Sequence, residues 1–335
     1  MNYDSLEREL NNELKSVYLL YGEEQYLIDT AVKKIKKKFG ELLLGINYIV
    51  LEESSLNDLI PNIEMPAFGF DKKLIIVKNS GLFKKDGRKK APTEIQERIG
   101  NYISDNLSII EEGVVLVFIE SEVDKNSVFD LIERIGIACQ ADLLKPSQLI
   151  ARLKKICAMY KVNVNDITLN YLIETSGTSL QDLINEIRKL IEYVGENGII
   201  TEKEIDLLAS KQIESVIFDL TDSLGAKQTE KALEVLNNLI YQKEPLQKIL
   251  ITLYNHFKKL YLCKIAVSLN KDVINSLNLK PNQTFLVTKY KKQASYFKGN
   301  DLKNILQEFI NLDYNFKIGN IDIDVGLRSI LCRFC

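Results

Sequence analysis

The sequence predicts an α/β domain followed by an all-α remainder. Five short apolar runs, several of them continuous, recur through about the first 143 residues with helical patterns between them. Continuous runs are what strands covered on both faces of a parallel sheet require. Beyond Pro146 no strand of any strength is found, and the apolar residues recur at helical spacing to the end of the chain.

The first strand, Val17–Tyr21, ends in Gly22, and Leu27, Ile28, Ala31, Val32, Ile35 and Phe39 then mark the inner face of a helix over 23–39. Further strands are expected at 48–51, 74–77, 114–119 and, more weakly, 138–143, with helices at 56–63, 93–107 and 127–135. A strand, a glycine and a helix form the place where an α/β nucleotide-binding domain carries its phosphate loop. Such a loop needs glycines to wrap the phosphates, a Lys to meet their charge and a Ser or Thr for Mg²⁺. Here the Gly-Lys-Ser/Thr positions hold Leu27, Ile28 and Asp29, and Glu23 and Glu24 would repel a polyphosphate. No Gly-Lys pair and no Gly-x-Gly occurs in the chain. Glu120, after the apolar run 114–119, stands where an ATPase holds its Mg²⁺-binding acid; without the loop it reads as vestigial or structural.

The helical remainder begins with Pro146 and Ser147 as linker and cap. Helices follow over 149–160 and 167–175, then one capped by Ser179 with Leu180, Leu183, Ile184, Ile187, Leu190, Ile191 and Val194 inward, ended by Gly195 and Gly198. Thr201-Glu-Lys-Glu has the form of a capping box. Short helices are expected at 218–224 and 232–239. Pro245 opens a long one with Leu246, Ile249, Leu250, Leu253, Tyr254, Phe257, Leu260 and Tyr261 on one face. Pro281 starts another, through to Phe297. Leu302, Ile305, Leu306, Phe309 and Ile310 make the stripe of the next, and Ile323, Leu327, Ile330, Leu331 and Phe334 that of the last, capped by Asp322.

At 335 residues, 46% apolar and 27% charged, the chain is a globular protein of two or three domains. Its polar, acidic start is not a signal peptide, and no run approaches the ~18 apolar residues of a membrane span. Five scattered cysteines argue for reduced thiols in a cytosol. Cys332-x-x-Cys335 lacks the further ligands of a metal site, and the only histidine, His256, sits mid-helix in a packing or surface role rather than a catalytic one. No cofactor, metal or catalytic group is expected.

Charge is uneven. Between Asn255 and Asn300 nine Lys face one acid, Asp272, so a segment of +8 sits in a chain of net −2. Lys289, Lys291 and Lys292 lie among Tyr254, Phe257, Tyr261, Phe285, Tyr290, Tyr296 and Phe297. Lys can neutralise phosphates and exposed aromatics can stack on bases; the bland alternative is an aromatic core under a solvated lysine face. The loop KKDGRKK, 84–90, reads as a solvated insertion or as a nucleic-acid contact. Met65, Pro66, Ala67, Phe68, Gly69 and Phe70 form an apolar cluster at a helix-to-strand connection, either buried under the sheet or exposed as a plug for another protein's pocket.

Taken together, YLLYGEEQYLID (18–29), MPAFGFDKKLIIVKN (65–79), SLQDLINEIRKLIEYVG with IITEKEI (179–205) and DVGLRSILCRF (324–334) resemble the delta subunit of the bacterial DNA polymerase III clamp loader. The resemblance runs along nearly the whole chain. It implies three domains: a AAA+-like module without ATP binding over 1–143, a small helical lid over 144–210 and a helical collar over 211–335. It implies a subunit that opens the ring-shaped sliding clamp (beta) without hydrolysing ATP, in a cytoplasmic heteropentamer with tau/gamma and delta-prime type subunits, at primer-template DNA. The family's clamp-binding plug maps to Met65, Pro66, Ala67 and Phe68, with Phe70 beside them; Ala67 is smaller than the apolar residue common there. Tyr314, with Lys317 beside it, is the nearest match to a collar aromatic that meets a base. The rival expectations are a degenerate P-loop ATPase and a stand-alone nucleic-acid-binding protein.

Overall fold

The computed structural model describes residues 1–88 and 90–334. Lys89, in the basic loop, and Cys335, in the C-terminal cysteine pair, lie outside the described residues. The chain divides into two compact units, Met1–Leu143 and Leu144–Cys335.

In the first unit the order is α1 (Tyr3–Glu9), β1 (Val17–Tyr21), α2 (Gln25–Phe39), β2 (Tyr48–Glu52), a 3-10 turn (Glu53–Asp58) leading into α3 (Leu59–Glu64), β3 (Lys73–Lys78), α4 (Thr93–Asp105), α5 (Leu107–Gly113), β4 (Val114–Glu120), α6 (Ser127–Ile135) and β5 (Ile137–Gln140). The strands make one parallel sheet in the order β2-β3-β4-β1-β5. Tyr48 pairs with Leu74, Lys73 with Val114, Leu19 with Phe118 and with Ala138. Side chains alternate across the sheet. Val17, Leu19, Ile75, Val77, Leu116 and Phe118 share a core with Leu59, Ile63, Ile99, Ile103, Ile110, Phe129 and Ile132 of α3 to α6. Their neighbours Tyr18, Leu20, Leu74, Ile76, Val115 and Val117 are buried too. The apolar helical stripes outside that core, Leu6 of α1 and Leu27, Ile28, Ala31 and Ile35 of α2, are buried as well.

The weak strand expected at 138–143 is Ile137–Gln140 instead. A strand extends only as far as its partner, and β1 ends at Tyr21, opposite Gln140. The helix expected over 93–107 stops at Asp105 and restarts as α5, which the sequence reading missed along with α1. Asn106 takes non-helical backbone angles between them and turns its amide back to Tyr102 O.

The second unit contains α7 (Pro146–Met159), α8 (Asp166–Ser176), α9 (Leu180–Val194), α10 (Glu202–Leu208), α11 (Ile213–Gly225), α12 (Thr229–Tyr241), α13 (Leu246–Ser268), α14 (Val273–Ser276), a 3-10 turn (Pro281–Gln283), α15 (Leu286–Tyr296), α16 (Gly299–Lys317) and α17 (Ile323–Arg333). The cap expected at Ser147 does not form: α7 begins one residue earlier, with Lys145 as N-cap and Pro146 as its first residue, because the fixed φ of proline suits the first helical position. Three other expected caps do form. Ser179 accepts from Asp182 N, Thr201 and Glu204 close a capping box, and Asp322 accepts from Asp324 N and Val325 N. The single helix expected from Pro281 to Phe297 is a 3-10 turn and a separate α15. Buried Asn282 donates to Thr178 Oγ1 (3.0 Å), which ties the turn to the α8–α9 connection and resets the helix start. In α16 the inward residues are Leu302, Ile305, Phe309 and Leu312; Ile310 is exposed because it lies a further 100° around the helix from Phe309.

His256 of α13 is buried beside Phe218, Phe257 and Tyr290. Its Nε2 lies 2.8 Å from Gln293 Oε1. Gln293 spends its amide hydrogens on Phe218 O (2.8 Å) and Asp222 Oδ1 (3.0 Å), so His256 Nε2 must be the donor to Gln293 Oε1. Burial pulls its pKa down to about 4.

Two predictions follow from this packing. Gly22 has φ +132°, and a Cβ there would stand 2.2 Å from Ala141 O. Gly22→Ala should cost on the order of 2–4 kcal/mol, read as a lowered urea midpoint. For His256, the unfolded chain takes up its proton near pH 6.5 and the folded chain only near 4. That contribution to stability is complete above about pH 6.5 and is lost as pH falls towards 4, to a total of about 3 kcal/mol. The stability of His256→Gln should therefore fall less steeply than wild type between pH 7 and 4 in urea titrations.

Candidate functional site

The turn between β1 and α2 is closed. Gly22 N donates to Glu120 O (3.2 Å), Ala141 N to Tyr21 O (2.7 Å) and Glu24 N to Ala141 O (3.0 Å). A phosphate loop presents such N–H groups outward; here those of Gly22 and Glu24 are spent on neighbouring backbone. Glu120 is buried and accepts from Ser80 N (2.8 Å) and Ser80 Oγ. Burial raises its pKa, opposed by the Ser80 bonds and Lys84. It therefore joins the exit of β3 to the end of β4, a structural task. Among the described residues no group of His, Cys, Asp and Glu side chains could hold a metal ion.

The segment from Asn62 to Lys72 is different in kind. α3 ends at Glu64 with Met65 as its cap, and the chain turns through Pro66–Phe70 before β3 begins at Lys73. Met65, Pro66 and Phe68 are exposed, Phe68 at 67%, while Ala67 and Phe70 are half-buried. The cluster thus stands out from the sheet rather than under it. Phe70 N donates to Ala67 O (3.2 Å), Gly69 has φ +96° and Phe68 itself has φ +39°, an uncommon conformation for an aromatic residue. A hollow of about 510 Å³ lies beside it, bordered by Phe70, Asp71 and Lys72 and, from the preceding loop, Glu41 and Asn47. That loop is itself ordered. The buried Asn47 amide accepts from Leu43 N (2.7 Å) and donates to Glu41 O (2.8 Å), and leaves Leu43, Leu44 and Ile46 exposed.

Sequence reading singled out the apolar cluster but neither that neighbouring loop nor Lys73. Lys73 is the first residue of β3 and 2% exposed. Its Nζ donates to Asn62 O, Ile63 O and Met65 O. The signal was the Lys-Lys pair opening an otherwise apolar strand. Alternation places Lys73 on the same inward face as Ile75 and Val77.

The basic segment of the second unit is less free than its composition suggests. Lys289 pairs with Glu174 (2.6 Å), Lys292 approaches Asp222 (3.9 Å) and Lys317 pairs with Asp313 (2.6 Å); Lys291 is exposed. Phe257, Tyr290 and Phe297 are buried, and Tyr254, Tyr261 and Phe285 are half-buried. Burial pushes the Tyr290 hydroxyl well above its ordinary pKa. The stacking surface expected from the interleaved aromatics is therefore mostly core, and Tyr296 is its one exposed member. Tyr314 on α16, by contrast, is 63% exposed, one helical turn from Ile310 and from Ile318, which are exposed as well.

Comparison with known proteins agrees with this architecture. Residues 18–140 match the family described as DNA polymerase III, delta subunit, and residues 214–334 match its C-terminal domain. The chain is 32% identical to the probable DNA polymerase III subunit delta of Aquifex aeolicus over 332 residues, covering 94% of this chain and 90% of that one. It is 23% identical to DNA polymerase III subunit delta of Bacillus subtilis, covering 96% and 93%. The solved structure of the Bacillus subtilis DNA clamp loader delta protein shares the fold, with a TM-score of 0.76 at 20% identity and 99% of both chains covered. With a parallel-sheet unit that keeps the place but not the chemistry of a phosphate loop, and a helical C-terminal region, the chain belongs to the delta subunit family of the DNA polymerase III clamp loader.

Proposed function

We propose that this chain binds a ring-shaped sliding clamp through Met65, Pro66, Ala67, Phe68 and Phe70 and favours the clamp's open form, for loading at primed DNA. The observation that carries the reading is the exposed apolar turn after α3: a large aromatic held out in solvent at the end of a well-ordered connection. Exposed Met and aromatic side chains rimmed by polar groups are typical anchors for a partner's pocket. Ring opening is a coupling of binding to conformation, so the chain acts by binding the open ring better than the closed one. ATP binding and hydrolysis belong to partner subunits, a reading supported by the absence of a Gly-Lys-Ser/Thr loop and by the Gly22 and Glu24 N–H groups being bonded to neighbouring backbone. Those partners are of tau/gamma and delta-prime type.

In this reading 1–143 is the clamp-binding module, 144–210 a helical lid and 211–335 the collar that joins the pentamer in the cytoplasm. Primer-template DNA passes Tyr314, Lys317, Lys289, Lys291 and Lys292. The ion pairs of Lys289 and Lys317 are solvent-facing and worth no more than about 1 kcal/mol each, so a phosphate can displace the carboxylate. DNA contact by such a surface is weak for the isolated chain and falls steeply with salt.

The test is a titration of the purified chain against the sliding clamp of the same organism, without nucleotide. Submicromolar binding is expected, and Phe68→Ala should weaken it by on the order of 2 kcal/mol or more while leaving the thermal midpoint unchanged. Equal affinity of Phe68→Ala and wild type would remove the plug from the interface. Tyr314→Ala should leave clamp affinity as it is and reduce DNA binding by the assembled loader.

A further inference from the structure

We infer that Lys73 is a positioning residue that holds the apolar turn of residues 65–70 in its outward conformation, an inference that rests on the clamp-binding reading above. Phe68 has little burial to hold it where it is, being 67% exposed. Its backbone lies in the left-handed region that L side chains disfavour, and the adjoining Gly69 also has positive φ. A turn with such a backbone and so little buried area would sample several conformations unless its flanks were fixed. One flank is β3, paired on both sides with β2 and β4. The other is the C-terminus of α3, a helix of six residues that has few internal hydrogen bonds of its own.

Lys73 joins the two flanks. Its backbone is in β3, and its ammonium, with three donors, meets three carbonyls at the end of α3, those of Asn62, Ile63 and Met65. The last carbonyls of a helix lack intrahelical partners and carry the negative end of its dipole, so a cation there is favoured. Met65, the third of these residues, is also the first of the turn. Fixing its carbonyl sets the direction in which the chain leaves the helix. The neighbouring Lys72 binds elsewhere, donating to Glu111 O of α5 (2.8 Å). Burial lowers the pKa of Lys73, as expected of an ammonium served by dipoles alone. Apolar contacts could fill the space of its stem, but only a donor can bind the carbonyls, and that separates positioning from packing.

The consequence is pre-organisation. If the turn were competent only a tenth of the time, the apparent dissociation constant would rise tenfold with no contact to the partner lost. Two readouts test this on the full-length chain: hydrogen–deuterium exchange of amides 65–72 in the free protein, and affinity for the sliding clamp. Lys73→Met keeps the length and apolar stem and removes the donors. It should raise exchange across 65–70 at least tenfold, leave the amides of β1, β3 and β4 protected, and weaken clamp binding about tenfold. Lys73→Arg, which keeps a cationic donor, should recover most of both. In a Phe68→Ala background the Lys73→Met change should cost less than threefold more, because both act through the same turn. Unchanged exchange at 65–70 in Lys73→Met would overturn the inference. So would exchange rising over the whole sheet, since the lysine would then be supporting the unit rather than the turn. If the wild-type chain does not bind the clamp, the functional reading fails instead, and exchange still decides what Lys73 does.

Discussion

The need to bury a parallel sheet on both faces governs the first unit and, through it, the placement of everything exposed. Five parallel strands must all be entered at one edge of the sheet and left at the other. Helix-to-strand connections therefore gather at the entry edge, and strand-to-helix turns at the exit edge. The β1–α2 turn, where a nucleotide's phosphates would sit, is an exit turn. The Met65–Phe70 turn is an entry connection, as is the Glu41–Asn47 loop beside it. Topology alone thus separates the edge where related α/β folds bind nucleotide from the edge where this chain exposes its apolar side chains. A contact at the second edge does not compete with anything at the first.

Loss of nucleotide chemistry at the exit edge is compensated by backbone pairing. Gly22 N donates to Glu120 O and Glu24 N to Ala141 O, where a phosphate would otherwise accept, and the Glu120 side chain turns to Ser80. A Mg²⁺-binding carboxylate must be reachable and ionised; Glu120 is buried with a raised pKa and is held by two donors from one residue. The same site is thereby made rigid where an ATPase would need to bind and release. Most buried polar groups elsewhere find partners once water is gone, although Ser176 Oγ and Asn282 Oδ1 have none among the described residues. His256 is fixed in one tautomer by Gln293, and Glu186 accepts from Ser210 N (3.0 Å) while paired with Lys189 (2.6 Å).

Local composition is a poor guide to the electrostatic surface of the helical unit. Nine lysines against one acid between Asn255 and Asn300 suggest a strongly positive face, yet Lys289 and Lys292 meet acids from outside that segment, Glu174 and Asp222. A field depends on which charges are near in space. The interleaved aromatics mislead for a related reason: neighbours in a helix lie about 100° apart around its axis, so Tyr290 can be in the core while Lys289 and Lys291 on either side of it are not buried.

The sequence by itself determined the α/β-then-α architecture, four of the five strands to within a residue or so, the lack of a Gly-Lys-Ser/Thr phosphate loop and the helix caps at Ser179, Thr201 and Asp322. These rest on period, glycine and capping chemistry, which are local. It also marked Met65–Phe70 as unusual, through Pro66 and Gly69 among large apolar residues, but could not say whether the cluster was buried. Tertiary structure decided that, because exposure depends on which element covers which. It also decided where β5 stops, since a strand ends with its partner; the division at Asn106 and the separate turn at Pro281, since both are fixed by side-chain hydrogen bonds; and the task of Lys73. A lysine opening an apolar strand is a visible oddity in the sequence, but the carbonyls it binds belong to a helix eight to eleven residues earlier that folding alone brings beneath it.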